Sequence, residues 1–462
     1  MKLEQLHHES LGHASYLVAS EDTGDALVVD PRRDVGPYLE LAHQAGYRIR
    51  WVVDTHQHND YLSGLRELVE RTGATALASS YADAIGYPHD PVQDGQQLEL
   101  GEVGVEVLHT PGHTPEHLSF LVYDREQDAD TPAMLLSGGA LLVGDLARPD
   151  LLGEEEETRR AARQFCETIQ KKLLDLPDHV LVYPTHVAGS LCGGSIGSRL
   201  VTTVGYERRA NAILREVSSK DEFVEECLKL ENLPAVPPYW PRMRSQNAEG
   251  VEPVGAVVPP PPLTPDEIEA RVEDGAIVLD ARPEEAFAGG HIPGALSVGL
   301  GSSFPTWAGT VLPDGAEVVL VIEDESRLLE ATWELLRIGY DRPIGYLRGG
   351  MRGWRITGRE VTGLPTVTVH DIRDRLDELH VLDVRQPDEW AEGHAPDAQW
   401  ITGAELPGRH EEVPRDRTVL TVCGSGYRST VAASYLMRHG HDDVINLLGG
   451  MTAWVVSDLP TE

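Results

Sequence analysis

The stretch VVDTHQHNDYLSG, residues 52–64, decides how the first half of the chain is read. It continues an apolar run and then places His56, His58 and Asp60 at alternate positions. Alternate residues of an extended segment project to the same side, so these side chains can converge on one ion. Tyr61 comes next, and a phenol, with pKa near 10, is a poor ligand for a divalent metal at neutral pH. Three further candidates lie far along the chain. His113 is in HTPGHTPEHLSF, Asp145 in LLVGDLARPDL and His186 in VYPTHVAGSLCGG. Each follows an apolar run and opens a loop containing Gly or Pro. Any one alone reads as a polar loop residue, whereas the ordered set points to a metal site.

Working outward, the first ~230 residues alternate short apolar runs with loops rich in His, Asp and Gly. YLVAS, ALVVD, IRWVVDTH, VEVLHTP, LSFLVYD, ALLVGD and VLVYPTH read as buried strands, and most end on a polar or ionisable residue. DVGPYLELAHQAGYR, LSGLRELVERTGA and EETRRAARQFCETIQKKLLDL read as helices. The Pro-rich piece GAVVPPPPLTPDE reads as a stiff, extended linker. Tyr239 and Trp240, in PAVPPYWPRM, are expected to dock on the N-terminal domain.

After the linker the sequence repeats. IVLDARPEEAFAGGHIPGAL (277–296) matches HVLDVRQPDEWAEGHAPDAQ (380–399), and LRGGMRGW (347–354) matches LLGGMTAW (447–454). A period of about 100 residues is too long for a solenoid and indicates two homologous domains. Their strand–helix alternation predicts small parallel α/β sheets. The expected divisions are 1–245 for the metal domain, 246–264 for the linker, and 265–362 and 363–462 for the two copies.

The 462 residues carry a formal charge of −36, which argues against nucleic acid or an anionic membrane as a partner. The N-terminus lacks the apolar core of a signal peptide and no apolar run is long enough to span a bilayer, so a cytoplasmic location is expected. The four widely spaced cysteines, 166, 192, 227 and 423, do not form a disulfide framework. Cys166 and Cys227 lie in amphipathic helical stretches and read as core residues.

Cys423 differs from the others. It ends the strand TVLTV and opens the loop CGSGYRS, before a helix starting near Ser429. N–H groups of such a loop and of the helix N-terminus would point at the sulfur, and Arg428 adds positive charge; both favour a thiolate or a persulfide anion. Gly424, Ser425, Gly426, Tyr427 and Ser429 make up the rest of that cradle. The first copy has no cysteine; counting back from Gly339 and Gly440 puts Ile322 opposite Cys423, within one residue.

CGSGYRS together with the two copies resembles the rhodanese sulfurtransferase family. The resemblance implies that Cys423 carries a persulfide sulfur and that the first copy is catalytically inactive. Arg428 follows Cys423 with four residues between, shorter than the C-x5-R loop of the phosphatase relatives, so sulfur is favoured over phosphate. Asp383, Arg385, Glu389 and His394 recur in that family and read as scaffold.

The His/Asp set resembles the metallo-β-lactamase fold superfamily, which implies an αββα sandwich followed here by the two rhodanese-like α/β domains. Its general motif is H-x-H-x-D-H followed by His, Asp and His. Tyr61 stands at the final His, a ligand to the second metal in two-metal hydrolases such as glyoxalase II, so one metal is expected. The persulfide dioxygenases of this superfamily hold one Fe(II), and their ligands match His56, His113 and Asp145; zinc is the alternative. Two His and one carboxylate with open positions suit a non-haem iron oxygenase. His58, Asp60, Tyr61 and His186 would orient ligands and water. Tyr61 either donates to bound oxygen or substrate, or simply packs. Arg148 either meets a substrate carboxylate or sulfur oxyanion, or forms a scaffold ion pair. Cys192 is either a secondary sulfur acceptor at the site mouth or a buried thiol.

Together the resemblances imply a dioxygenase that converts a small thiol persulfide and O2 to sulfite, coupled to rhodanese sulfur transfer giving thiosulfate. A homo-oligomer is expected, as is common in the superfamily. The alternatives are a zinc thioester hydrolase of the glyoxalase II type with a sulfur relay, and a non-enzymatic persulfide sensor.

Overall fold

The computed structural model describes residues 1–462 except 152, 217, 218 and 230–232. The chain divides into two compact units: Met1–Leu233 with Trp240–Gly255, and Pro234–Tyr239 with Ala256–Glu462.

The first unit holds two six-stranded sheets. One runs in chain order: Lys2–His8, His13–Ala19, Asp25–Val29, Arg48–Val53, Thr75–Ser79 and Asp90–Val92. The other orders Thr202–Thr203, Leu181–Pro184, Pro132–Gly138, Leu118–Asp124, Val103–His109 and Gln97–Leu100. Strand alternation builds the layers. Tyr16 and Val18 face the core shared with Val105, Phe120 and Leu136, whereas Leu17 and Ala19 join the cluster under the helices Gly36–Ala45 and Leu65–Thr72. The helix Glu155–Thr168 covers the second sheet through Phe165 and Cys166, and Cys227 packs against the same cluster. This is the expected αββα sandwich.

One predicted strand is displaced. ALLVGD was expected to be extended, yet the strand is Pro132–Gly138 upstream. Gly138 adopts φ 59, which ends the strand, and residues 140–143 are buried as a loop, with Ala140 and Leu141 in the helix-side cluster. An apolar run bounded by glycines does not distinguish a buried strand from a buried loop.

The second unit contains two five-stranded parallel sheets with matching order. In one, Leu296–Ser297, Ile277–Asp280, Val318–Val321, Gly345–Leu347 and Pro262–Leu263 are successive neighbours. In the other the sequence is Gln399–Trp400, His380–Asp383, Val419–Val422, Val444–Leu447 and Thr366–Val367. Register fixes the correspondence: Asp280 pairs Val321 and Asp383 pairs Val422, so the next residues, Ile322 and Cys423, are equivalent. The repeated motif is indeed a brace. Arg282 grips Asp280 and the Gly290 carbonyl, as Arg385 grips Asp383 and the Gly393 carbonyl. His291 stacks on Phe287 at 3.6 Å, and His394 on Trp390 at 3.5 Å.

The helix Trp240–Glu249 runs through the position where the linker was expected to begin, and the first unit keeps the chain to Gly255. Trp240 is buried in that unit, as expected. Tyr239 instead belongs to the second unit, where its ring lies against Gly309 so closely that a Cβ there would meet it at 2.4 Å. Among the described residues no helix is long and apolar enough to cross a membrane.

Candidate functional site

Strand ends carry the first site. Asp30, fully buried, sits just past the strand Asp25–Val29 with φ 53. Its Oδ1 accepts from the Thr55 N–H at 2.6 Å and faces His58 Nε2 at 3.1 Å. Its Oδ2 accepts from the Thr55 hydroxyl at 2.9 Å and from the Thr185 hydroxyl. Burial works against the carboxylate, but His58 and these donors outweigh it and hold the pKa below the ordinary value. For His58 burial likewise disfavours the charge, and Asp30 outweighs it, raising the pKa.

Hydroxyl accounting then fixes His56. The Thr55 proton goes to Asp30, so Thr55 Oγ1 must accept from His56 Nδ1–H at 2.8 Å, leaving Nε2 unprotonated. His113 is held the same way: Nδ1 donates to the Arg148 carbonyl at 2.8 Å, and its buried Nε2 has no hydrogen-bond partner. Burial, with His186 nearby, pushes the His113 pKa down to about 3; burial lowers that of His56 as well. Both rings are therefore neutral, with an unprotonated Nε2 of the kind a metal takes. His117 is not equivalent, because its Nε2 accepts the Gly139 N–H at 2.9 Å.

His186 Nε2 lies 3.3 Å from His56 Nε2, and its Nδ1 3.4 Å from Asp60 Oδ2. Among the described residues, donor atoms fall mutually within 4.8 Å in three sets: His56–His58–His186, His113–His186–Cys192 and Asp30–Asp54–His58. Asp145 is in none of them. Its Oδ1 accepts the Leu146 N–H at 2.8 Å and its Oδ2 the Ser195 N–H at 2.7 Å. Burial, with no cation among its partners, raises its pKa. Its backbone is tied down by Asn211, which donates to the Asp145 carbonyl at 3.0 Å, and by Glu207, which accepts the Gly144 N–H at 2.9 Å. The clustered neutral imidazoles, with His113 Nε2 left without a hydrogen-bond partner, suit a divalent cation, while Asp145 stands outside the clustered sets.

Three ambiguous residues acquire definite surroundings. Tyr61 is fully buried, 4.4 Å from the His13 ring and 4.5 Å from that of His58, and its hydroxyl donates to the Asp30 carbonyl at 3.4 Å. Arg148 forms a two-pronged pair with Asp150 at 2.8 and 2.7 Å, the scaffold alternative rather than an open substrate fork. Cys192 is 1% exposed, inside rather than at the mouth, and burial raises its thiol pKa well above the ordinary value. Asp30 and His13 were missed by the sequence reading; the one signal was that ALVVD, like the ligand-bearing strands, ends on an ionisable residue.

In the second site Cys423 follows the strand Val419–Val422 and is buried. Its sulfur accepts the Gly426 N–H at 3.1 Å and the Ser429 hydroxyl at 3.4 Å. Gly426 holds φ 127, a conformation that favours glycine. The loop rests on the second GGM turn: Met451 N–H donates to the Cys423 carbonyl at 2.7 Å, and a Cβ on Gly450 would meet that oxygen at 2.1 Å. Two expectations change here. Arg428 does not offer an unshared charge, because Glu389, expected to be scaffold only, grips it at 2.5 and 2.6 Å. Tyr427 turns away from the sulfur and donates to the Gly299 carbonyl of the first copy at 3.1 Å.

The Metallo-beta-lactamase superfamily pattern matches residues 10–186, and the Rhodanese-like domain pattern matches 264–357 and 368–457. A sulfurtransferase of Allochromatium vinosum is 42% identical over 84 residues, 18% of this chain and 78% of that protein. A solved metallo-beta-lactamase from Staphylococcus aureus subsp. aureus COL is 31% identical, with TM-score 0.67, covering 75% of this chain and 98% of that one. The chain belongs to the metallo-beta-lactamase superfamily in its first half and to the rhodanese family in its second. Within the metallo-beta-lactamase half, the mitochondrial persulfide dioxygenase ETHE1 of Bos taurus is 29% identical over 224 residues, 48% of this chain and 77% of that protein. The rhodanese half is a tandem in which only the second domain has the cysteine.

Proposed function

We propose that the chain is a persulfide dioxygenase joined to a rhodanese sulfurtransferase. It oxidises a low-molecular-weight thiol persulfide to sulfite at one Fe(II), and it moves sulfane sulfur on Cys423 to give thiosulfate. The observation that carries the oxygenase reading is Tyr61: at the place of a second-metal histidine stands a buried phenol whose hydroxyl is spent on a backbone carbonyl. Burial raises its pKa further, which disfavours its ionisation as a ligand. This supports one metal over the dinuclear site on which thioester hydrolysis relies.

His56, His113 and Asp145 would hold the ion. Bound there, iron supplies the redox partner that lets O2 react with sulfur. The balance is R–S–S⁻ + O2 + H2O → R–SH + SO3²⁻ + H⁺. This chain's residues do the positioning: Thr55 and the Arg148 carbonyl keep the protons on Nδ1 of the two rings, and Asp60 stands beside His186 and orients its ring. In the second site Cys423 attacks the outer sulfur of a persulfide, the R–S–S bond breaks and R–S⁻ leaves, the Gly426 N–H and Ser429 hydroxyl stabilising the Cys–S–S⁻ anion. Sulfite then attacks that outer sulfur: Cys–S–S⁻ + SO3²⁻ → Cys–S⁻ + S2O3²⁻.

The test is oxygen uptake by the iron-loaded protein with a small-thiol persulfide, with metal content measured alongside. One iron per chain and stoichiometric sulfite support the reading. Two zincs per chain with thioester hydrolysis and no oxygen uptake sink it.

A further inference from the structure

The loop that carries His56 is closed by residues from beyond the metallo-beta-lactamase match. Residues 54–64 form neither helix nor strand, so their buried backbone groups need partners from elsewhere. The helix Trp240–Glu249 supplies four of them. Asn247, 7% exposed, donates from Nδ2 to the carbonyls of His58 at 2.9 Å and Tyr61 at 2.8 Å. Its Oδ1 accepts the Ser63 N–H at 2.9 Å. One amide thus spans three backbone groups of the metal loop.

Arg244, three residues earlier and so on the same helix face, extends the clamp. It donates to the Gln57 carbonyl at 3.3 Å and to both oxygens of buried Glu116 at 3.1 Å. Glu116 lies between His113 and His117 and itself accepts the Gln57 N–H at 3.0 Å. Arg244 therefore fastens the His56 loop to the His113 loop, the two segments whose Nε2 atoms must meet one ion.

We propose that Asn247 and Arg244 are positioning residues for the metal centre. The helix Trp240–Glu249 is then part of the metal site rather than part of the linker. This rests on reading His56 and His113 as ligands. The same helix segment has an anchor that touches neither loop: Arg66 donates to the Gly250 carbonyl at 2.8 Å and pairs with Glu252 at 2.7 Å. Arg66 separates holding the helix from holding the loops.

The experiment titrates the full-length protein with Fe(II) under anaerobic conditions against a chromogenic chelator, and records the melting temperature of the metal-free protein. Asn247→Ala and Arg244→Ala are each expected to raise the iron dissociation constant about 10- to 100-fold, the range for residues that orient metal ligands. Arg244→Lys should recover part of that, and Arg66→Ala should stay within about twofold of wild type. If Asn247→Ala does not fold, Arg244→Ala carries the test. An unchanged dissociation constant in the folded variants, with only the metal-free melting temperature lowered, overturns the proposal. So does an equal rise in Arg66→Ala. A wild type that binds no stoichiometric iron, or iron binding untouched by His113→Ala, instead fails the ligand assignment and takes the proposal with it.

Discussion

Asp30→Asn tests the proton accounting at the metal loop. The backbone N–H of Thr55 points at Oδ1 of Asp30, so the asparagine must keep its oxygen there and place its NH2 where Oδ2 was. That NH2 now faces the Thr55 and Thr185 hydroxyls, both of which donate to Oδ2 in the native protein. Thr55 must turn its proton away, and the remaining neighbour is His56 Nδ1 at 2.8 Å. His56 then holds its own proton on Nε2, the nitrogen needed by the metal. Stability falls because hydrogen bonds to a charged acceptor, worth about 1.5–3 kcal/mol, become neutral ones worth about 0.5–1.5. Relief of the buried charge offsets part of this, leaving a net loss of about 2–3 kcal/mol. At about 2–4 °C per kcal/mol for a unit of this size, the first unit should melt roughly 4–12 °C lower by calorimetry. Iron affinity should fall about 10- to 100-fold, as for other residues that fix a ligand's tautomer. An iron dissociation constant within twofold of wild type would refute the tautomer argument, whatever happens to the melting temperature.

Four further outcomes are expected. Tyr61→His should raise the zinc stoichiometry above one per chain, measured by elemental analysis, because it restores a nitrogen donor next to Asp60 and beside His58; a ratio fixed at one refutes the assignment of that position. Cys423→Ser should abolish thiosulfate formation while sulfite formation continues, read by ion chromatography of both anions. Glu389→Gln should change sulfur-transfer turnover while leaving oxygen uptake at the wild-type rate, since it frees Arg428 from its partner. Asp54 is pushed up to about 7 by burial, so the folded state holds its proton more tightly than the unfolded one does. Its contribution is complete below the ordinary pKa of 3.8 and is lost as pH rises toward 7. Asp54→Asn should therefore stabilise the metal-free protein at pH 8, by at most about 4 kcal/mol, by less than half of that at pH 5 and hardly at all below pH 4; the reverse order of melting shifts would contradict the sign.

Most of the architecture was legible because it is written in local patterns. Apolar alternation gave the strands around His56 and His113, the repeat gave two matching sheets, and CGSGYRS gave a loop whose N–H and hydroxyl do reach the sulfur. What escaped depends on sequence-distant partners. Asp30 acts on His56 through Thr55, Asn247 reaches a loop 184 residues away at Ser63, and Glu389 grips Arg428 across 39 residues. None of these has a spacing that marks it, because a lone Asp, Asn or Glu is ordinary in any loop. The ALLVGD misreading has a different cause, since hydrophobicity reports burial and not backbone conformation.

The cysteine-free copy shows what the active loop needs, by having lost it. Register makes Ile322 the counterpart of Cys423, and the next positions read Glu323, Asp324, Glu325. In the active copy a loop N–H is left for sulfur, from Gly426. In the other copy the loop's own carboxylates take such donors: Asp324 accepts the Ser326 N–H at 3.0 Å, and Glu325 the Gly349 N–H at 3.2 Å. An incoming sulfur anion would meet three carboxylates and find these donors spent, so restoring a cysteine alone, as Ile322→Cys, should give no sulfur transfer. Activity gained by that single change would mean that the loop's acidic residues do not govern anion binding, and that the missing sulfur alone accounts for the silence of this copy.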